Sequence, residues 1–266
     1  MVYYELADET HMGPVPGIRS LFHGRASDRR MVRDWGVTGR LVELRPDGSI
    51  PLWELLALPG DLFFIVGMLF ALGLTELVRG IRGEYGEGTL LPDRVGVLVG
   101  VVFGGLALIV LLEAVVGASR PPTDWHAIDA SPYGFPSGHT MAATIMWGAV
   151  AWLYRPEALP IPAVVGGVGL VIFVVGLSRL FLGVHYVPDV LAAVVVGVMY
   201  LGMVIGLQID RPWQVLLVAL AVAIAAMGVA MNDRAMLGLL GTVGAIVGWT
   251  IIQHDVVASQ VQTLGK

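Results

Sequence analysis

Residues 95–112 read VGVLVGVVFGGLALIVLL, an unbroken apolar stretch without a charged side chain. As an α-helix, a stretch of this length extends for about 27 Å, which is close to the thickness of the hydrocarbon core of a bilayer. The stretch lacks the alternating pattern of a membrane strand. Because a helix satisfies its own backbone hydrogen bonds in lipid, residues 95–112 are predicted to cross the membrane as a helix.

Six more apolar stretches of similar length occur from residue 62 onward, and polar residues separate most of them. The seven predicted spans are 62–81, 95–113, 138–154, 161–178, 188–208, 212–231 and 235–252. The chain is 56% hydrophobic and 14% charged, whereas soluble domains carry roughly 25% charged residues. The sequence therefore predicts an all-α fold, a polytopic transmembrane helical bundle of about seven spans.

The composition divides the chain into three parts. Residues 1–54 are polar and predict an amphipathic or partly disordered amino-terminal tail, 55–208 form a transmembrane core, and 209–266 hold two additional transmembrane helices and a short tail. The amino terminus is acidic and does not resemble a secretory signal peptide, so insertion is expected to rely on the internal spans. The chain has no cysteine and a formal net charge of −5; we find no signal for nucleic-acid binding, and nothing in the sequence predicts an oligomeric state.

Alternation of the spans places two polar loops on one face of the membrane. The loops 114–137 and 179–187 open on the same side, together with the amino-terminal tail. Most unusual polar residues of the membrane region lie in or beside these loops, namely Arg120, Ser137, Gly138, His139, Ser178, Arg179, His185 and Asp189. Ionisable groups at a bilayer boundary are costly unless they pair or bind something, so this cluster predicts a functional site.

The residue types in the cluster favour a phosphate ligand. The guanidinium groups of Arg120 and Arg179 offer forked donors that match phosphate oxygens. Ser137, with the backbone N–H groups of Gly138 and His139, lies at the start of a predicted helix, where anions are favoured. These five residues predict a phosphate-binding site.

The two histidines suggest how a phosphate ester reacts at this site. One imidazole can attack phosphorus while the other protonates the departing alkoxide. Asp189 follows His185 by four residues, where its carboxylate can accept a hydrogen bond from one ring nitrogen and leave the other free. We therefore predict His185 as the nucleophile and His139, which lacks a local carboxylate partner, as the general acid. Too few ligands at recognised spacing are present for a metal site.

These motifs resemble those of the type 2 phosphatidic acid phosphatase and vanadium haloperoxidase superfamily, and in particular its branch of membrane lipid phosphate phosphatases. The signature of the superfamily has three parts. The first is a Lys followed, after six residues, by Arg-Pro, and the second is Pro-Ser-Gly-His. The third is Ser-Arg followed, after five residues, by His and, after three more, by Asp. The second part matches residues 136–139, and the third matches Ser178, Arg179, His185 and Asp189. The resemblance covers about residues 55–205.

The resemblance implies a core of about five helices and a covalent phosphohistidine on His185. Asp189 would orient that ring, and His139 would protonate the leaving group. The implied phosphate ligands are Arg120, Ser137, Gly138 and Arg179. The resemblance also implies that neither a metal nor another cofactor takes part, and that the substrate is a lipid phosphate in the bilayer.

The sequence departs from the superfamily pattern in two ways. The position of the Lys, seven residues before Arg120, holds Glu113, and the usual first membrane helix is replaced by the polar tail, while two extra spans follow the core. Two helical turns separate Glu113 from Arg120, so Glu113 is expected to face the site as an accessory residue. It would then pair with Arg120 or Arg179, contact a substrate hydroxyl or amine, or be protonated.

The predicted function is metal-independent hydrolysis of a lipid-linked phosphate monoester or pyrophosphate. The alternatives are a lipid phosphotransferase, a non-catalytic lipid-phosphate-binding protein, suggested by Glu113, and a vanadate-dependent haloperoxidase, whose relatives are soluble. Loops on the face opposite to the site carry Arg79, Arg82, Arg94, Arg155 and Arg211. Because positive residues favour cytoplasmic loops, the sequence predicts a multi-pass cell-membrane protein with an extracytoplasmic catalytic face.

Overall fold

The computed structural model describes residues 33–254, together with residues 261 and 263. Residues 33–254 form nine α-helices and no strand, which confirms the predicted all-α fold. The helices are α1 Val37–Glu43, α2 Ile50–Ala57, α3 Leu62–Ile81, α4 Asp93–Val116, α5 Gly138–Tyr154, α6 Ile161–Phe181, α7 Val187–Gly206, α8 Pro212–Ala230 and α9 Asp233–Ile252.

A helix lies at each of the seven predicted spans. Among the described residues, six of these helices are long and apolar enough to cross a membrane, namely α3, α4 and α6 to α9. The remaining helix, α5, has 17 residues and the predicted bounds, and 17 residues is the lower limit for a span. It is also enclosed by the bundle, because it contacts α3, α4, α6 and α7.

Helix α4 is the centre of the bundle and contacts α3, α5, α7, α8 and α9. Its glycines allow α8 to approach closely, since a Cβ on Gly100 would lie 2.7 Å from a methyl of Val215. Close packing of small residues is the usual way in which membrane helices associate. The two additional helices α8 and α9 are therefore integral to the bundle, and the predicted boundary at residue 208 lies in the loop between α7 and α8.

The described part of the amino-terminal segment is folded against the bundle. Helices α1 and α2 contact α6, the ring of Trp53 stacks on Phe181 with centroids 4.0 Å apart, and Arg45 donates to the carbonyl of Phe181. The predicted amphipathic or partly disordered tail is thus helical over much of 37–57, and its predicted end at residue 54 falls inside α2. Residues 1–32 lie outside the described residues.

The two predicted site loops meet at one end of the bundle. The backbone N–H of Ala127, in the loop between α4 and α5, donates to the carbonyl of Leu182, in the loop between α6 and α7, at 3.0 Å. Asp61 caps the first turn of α3 at the same end by accepting from the N–H groups of Phe63 and Phe64. The predicted common face is therefore confirmed.

Candidate active site

The Pro-Ser-Gly-His motif forms the beginning of α5. Ser137 is the fully buried N-cap residue, and its N–H donates to the carbonyl of Asp189 at 3.0 Å. Its hydroxyl lies 3.0 Å from the hydroxyl of Thr140. The backbone bond joins the second and third motifs directly, so the beginning of α5 and the beginning of α7 form one unit.

The contacts of His185 determine which ring nitrogen carries the proton. Its Nε2 lies 2.8 Å from Nη1 of Arg120, and its Nδ1 lies 2.8 Å from the carbonyl oxygen of Gly134. A guanidinium only donates and a carbonyl only accepts. The ring therefore carries its proton on Nδ1 and directs the lone pair of Nε2 toward Arg120, which leaves Nε2 as the unprotonated ring nitrogen.

Asp189 lies close to His185 but its carboxylate is held by other groups. The Oδ2 atom accepts from the N–H of Tyr186 at 2.9 Å and lies 3.8 Å from Nδ1 of His185, beyond hydrogen-bonding distance. The predicted hydrogen bond between Asp189 and His185 is therefore wrong for this arrangement. Gly134 fixes the tautomer instead, a backbone role that residue types cannot reveal.

Arg33 is a residue of this site that the sequence did not indicate. Its Nη1 pairs with Oδ1 of Asp189 at 2.7 Å, and its Nη2 donates to the carbonyl of Ser119 at 2.6 Å. Further along, Thr38 donates to the backbone carbonyl of His185. The amino-terminal segment therefore stabilises both the carboxylate and the loop that carries the predicted nucleophile.

We expect Arg33→Met to destabilise the fold, because it leaves the carboxylate of Asp189 buried without its cation. Loss of one partner of a buried ion pair costs about 3 kcal/mol or more. Thermal unfolding in detergent measures the effect, and exposed Arg40→Met serves as the control. Adding Asp189→Asn should restore part of the stability. Equal unfolding temperatures for wild type and Arg33→Met would contradict the pairing.

Arg120 lies where predicted, and loop carbonyls hold its guanidinium. Nη1 donates to the carbonyl of Val184 at 2.8 Å, and Nη2 donates to the hydroxyl of Ser131 at 2.8 Å. Burial lowers the pKa of Arg120, but an arginine stays charged at neutral pH. A phosphoryl group that approaches Nε2 of His185 therefore meets a positive charge already in place.

Arg179 is buried, and its Nε atom has no hydrogen-bonded partner in the part of the chain that the structure describes. Its residue is 5% exposed, and no carboxylate among the described residues lies within ion-pairing distance of it. A buried cation without a partner carries a large desolvation cost. The side chain lines the cavity of the two histidines, so an anion there would offset this cost.

His139 has a carboxylate neighbour that sequence spacing did not predict. Its Nε2 lies 3.7 Å from Oδ2 of Asp61, the residue that caps α3. The sequence predicted no local carboxylate partner for His139, and Asp61 is not local but reaches the ring because the turn before α3 packs against α5. A Cβ on Gly60 would lie 2.3 Å from the carbonyl oxygen of His139, so a glycine is required where the turn before α3 meets α5. The nearby arginines repel a protonated His139, and the negative charge of Asp61 partly offsets this repulsion.

Glu113 faces the site as predicted, but its partner is none of those predicted. The carboxylate pairs with Nη1 of Arg234 at 2.5 Å. Arg234 belongs to α9, one of the two helices that follow the superfamily core. An arginine at the start of an apolar helix on the catalytic face was the one sequence feature that pointed to it.

One cavity of about 580 Å³ collects these groups. Its polar lining consists of Asp61, Glu113, Arg120, Asp129, Ser131, His139, Arg179, His185 and Arg234. Its apolar lining comes from α3, α4 and α9, with Leu62, Phe63, Val66, Phe103, Leu106 and Leu237. Gly138 also lines it, whereas Ser137 and Asp189 lie behind the wall and support it. Such a cavity suits a ligand with an anionic head and an apolar body.

Burial lowers the pKa of His185 to about 4, and the charges of Arg120 and Arg179 act in the same direction. The nearby Asp189 opposes the shift. The ring is therefore uncharged at neutral pH, which keeps the Nε2 lone pair available for attack.

The lowered pKa of His185 predicts a loss of stability in acid. An unfolded histidine, with a pKa near 6.5, binds a proton that the folded one does not, so stability falls as the pH drops from about 6.5 toward 4. At pH 4.5 the loss is about 2 kcal/mol. Thermal unfolding of wild type and His185→Gln at pH 7 and pH 4.5 tests this. The variant should gain relative to wild type at pH 4.5, and an unchanged difference would contradict the assignment.

Comparisons with known proteins agree with the motifs. The model of the PAP2 superfamily matches residues 94–213. Phosphatidylglycerophosphatase B of Bacillus subtilis is 33% identical over 84 residues, which are 30% of this chain and 41% of that protein, so the match spans less than half the length of this relative.

A solved structure shares the fold. The crystal structure of a transmembrane PAP2-type phosphatidylglycerolphosphate phosphatase from Bacillus subtilis aligns with a TM-score of 0.55 and 23% identity, over 72% of this chain and 90% of that one. The aligned share of this chain extends well beyond residues 94–213, so the likeness includes helices outside the matched motifs. The resemblance to the type 2 phosphatidic acid phosphatase superfamily is therefore confirmed, and residues 94–213 of this membrane protein are the part that matches the PAP2 superfamily.

Proposed function

We propose that the protein is a phosphatase that hydrolyses a lipid-linked phosphate monoester or pyrophosphate through a phosphohistidine on His185. The observation that carries this proposal is the buried Arg179, which has no ion-pair partner and no hydrogen-bonded partner for its Nε among the described residues, in the cavity that also contains His139 and His185. A cation in that position favours an anionic ligand. The histidines supply a nucleophile and a proton donor beside the anion.

In the first step, Nε2 of His185 attacks phosphorus and the bond between phosphorus and the ester oxygen breaks. Protonated His139 gives its proton to the departing alkoxide. Arg120, Arg179 and the N–H groups at the beginning of α5 hold the phosphoryl oxygens, with Ser137 and Gly138 forming the turn. The hydrogen bond from Nδ1 of His185 to Gly134 stabilises the positive charge that develops on the ring.

In the second step, water attacks the phosphorus of phosphohistidine and the bond between phosphorus and Nε2 breaks. His139, neutral after the first step, accepts a proton from the water and returns to its protonated form. Orthophosphate leaves, and His185 recovers its lone pair. Neither step requires a metal ion.

The apolar walls of the cavity favour a lipid substrate. Phe63 on α3 and Leu237 on α9 line the same cavity as the histidines and arginines, and an acyl or prenyl chain would lie against such apolar side chains. The named relatives are phosphatidylglycerophosphatases, so phosphatidylglycerophosphate is the first substrate to test.

Phosphate release in detergent from phosphatidylglycerophosphate, phosphatidic acid and a polyprenyl pyrophosphate tests the proposal. We expect release from at least one of them, unchanged rates with EDTA, and inhibition by orthovanadate, which mimics the five-coordinate transition state. His185→Gln is the negative control. Absence of release from all three lipids would refute the activity, and a loss of rate with EDTA would refute metal independence.

We also propose that the catalytic face lies outside the cytoplasm, because the opposite loops carry Arg82, Arg155 and Arg211 close to the ends of the spans. The chain has no native cysteine, so single engineered cysteines report the topology. A membrane-impermeant maleimide should label Asp124→Cys in intact cells and leave Glu157→Cys unlabelled until permeabilisation. The reverse pattern would overturn this orientation.

A further inference from the structure

The ion pair between Glu113 and Arg234 connects the last helix to the candidate active site. Glu113 is 3% exposed on α4, and Arg234, in the first turn of α9, reaches across to it. The Arg234 side chain is 48% exposed and lines the cavity of the two histidines. Among the described residues, Glu113 is the only hydrogen-bonded partner of its guanidinium, so most of its five N–H donors are left free for a ligand.

The position of the Glu113 carboxylate explains why such a partner is needed. A Cβ built on Gly138 would lie 3.3 Å from Oε1 of Glu113, so the carboxylate lies beside the helix start that is proposed to bind phosphate. Two negative groups this close repel each other strongly in a partly buried site. Arg234 neutralises the carboxylate at that position. Arg234 also lines the same cavity as Arg120 and His139, so its charge adds to theirs in that cavity.

We infer that Arg234 is a phosphate-binding residue of this site and that Glu113 is the positioning residue that holds it. In this arrangement a donor from α9 takes the place of the lysine that the superfamily pattern has at position 113. The inference rests on the proposed function and deepens it. It also gives the added helices α8 and α9 a role, because α9 supplies a phosphate-binding side chain that the core helices lack.

The Glu113–Arg234 pair and the superfamily lysine differ in net charge. This difference determines how much the loss of Arg234 should weaken phosphate binding. A lysine adds one positive charge, whereas the Glu113–Arg234 pair adds none and contributes directed hydrogen bonds. A hydrogen bond to a charged group strengthens binding by roughly 10- to 100-fold, and partial exposure of Arg234 reduces this through solvent screening. Loss of Arg234 should therefore weaken phosphate binding by about tenfold.

The first test compares Arg234→Gln with Arg211→Gln, an exposed arginine at the opposite end of the bundle. The readouts are the inhibition constants of inorganic phosphate and orthovanadate and the KM for a lipid phosphate. Arg234→Gln should raise all three by about tenfold, while Arg211→Gln should leave them unchanged. Unchanged inhibition constants for Arg234→Gln would overturn the inference.

The second test separates the two roles. Glu113→Lys alone places two cations side by side and should lower activity, whereas Glu113→Lys with Arg234→Gln should recover phosphate inhibition relative to Arg234→Gln. If Glu113 acts only through Arg234, Glu113→Gln with Arg234→Gln should lose no more than Arg234→Gln alone. A rise in activity with Glu113→Lys alone, or additive losses in the double Gln variant, would overturn the positioning role.

Binding measured without turnover distinguishes this inference from the proposed function. Orthovanadate or inorganic phosphate should raise the unfolding temperature of the wild type in detergent, and Arg234→Gln should reduce that rise. If the wild type releases no phosphate from any lipid but shows this difference, the proposed activity fails and the anion-binding role of Arg234 stands. If the rise is equal in both proteins, the role of Arg234 fails whatever the activity.

Discussion

His185→Gln should reduce phosphate release to background, a loss on the order of 10³-fold or more. The variant removes the Nε2 lone pair that the contacts with Arg120 and Gly134 direct toward the cavity. A glutamine amide nitrogen is not nucleophilic, so the phosphorylated intermediate cannot form. Steady-state release of phosphate from the preferred lipid measures the loss. Rapid quenching with labelled substrate should trap an acid-labile, alkali-stable phosphoryl adduct on wild type and none on the variant.

His126→Gln is the matched control for this prediction. His126 lies in the same catalytic-face loop as Arg120, but its Nε2 contacts the carbonyl of Pro121, and the residue does not line the cavity. Its substitution should leave the rate within about twofold of wild type, as expected for a side chain outside the reacting groups. Retention of more than a few per cent of activity by His185→Gln would rule out the nucleophile assignment.

His139→Gln should lose more activity on a substrate with a poor leaving group than on a substrate with a good one. General acid catalysis contributes about 10²- to 10⁴-fold, so release from a lipid alkyl phosphate should fall by that amount. p-Nitrophenolate leaves without a proton, and release from p-nitrophenyl phosphate should fall much less. The measurement is kcat/KM for both substrates in wild type and variant. Equal losses on the two substrates would show that His139 is not the acid.

Asp61→Asn provides a milder test of the same assignment. The carboxylate lies 3.7 Å from Nε2 of His139, and its removal should make protonated His139 less favourable. The amide oxygen of asparagine can still cap α3, so the fold should be retained. We expect a reduced rate with the lipid substrate and a smaller change with p-nitrophenyl phosphate. Equal changes with the two substrates would show that Asp61 does not act through His139.

The sequence was sufficient to predict a helix at each of seven positions, six of them long and apolar enough to span a membrane among the described residues, and the shared face of the two site loops. Apolar runs long enough to cross a bilayer leave the backbone little choice other than a helix. Alternation of the spans then determines which loops meet, so the histidines and arginines fall on one side before any packing is known. The bounds predicted for α5, residues 138–154, match those observed, because the Pro-Ser-Gly-His motif marks its beginning.

The contacts of the candidate site were decided by tertiary structure. The tautomer of His185 depends on Gly134, whose contribution is a backbone carbonyl, and no residue type signals such a group. Asp189 was predicted to contact His185 because it follows that residue by four positions. The closer partner is Arg33, which lies 156 positions earlier in the chain. Its Nη1 is 2.7 Å from Oδ1 of Asp189, whereas Nδ1 of His185 is 3.8 Å from Oδ2.

Glu113 shows most clearly which features follow from the sequence and which depend on the packing of the helices. The sequence alone determined that a carboxylate replaces the superfamily lysine, and that two helical turns bring it to the face of α4 that carries the site. Which cation pairs with it depended on the packing of α9 against α4, which brings Arg234 to it across 121 positions. Patterns within a helix are local and determine spans and faces. Partners far apart in the chain are selected by how the helices pack, which in this bundle depends on glycines that allow close approach.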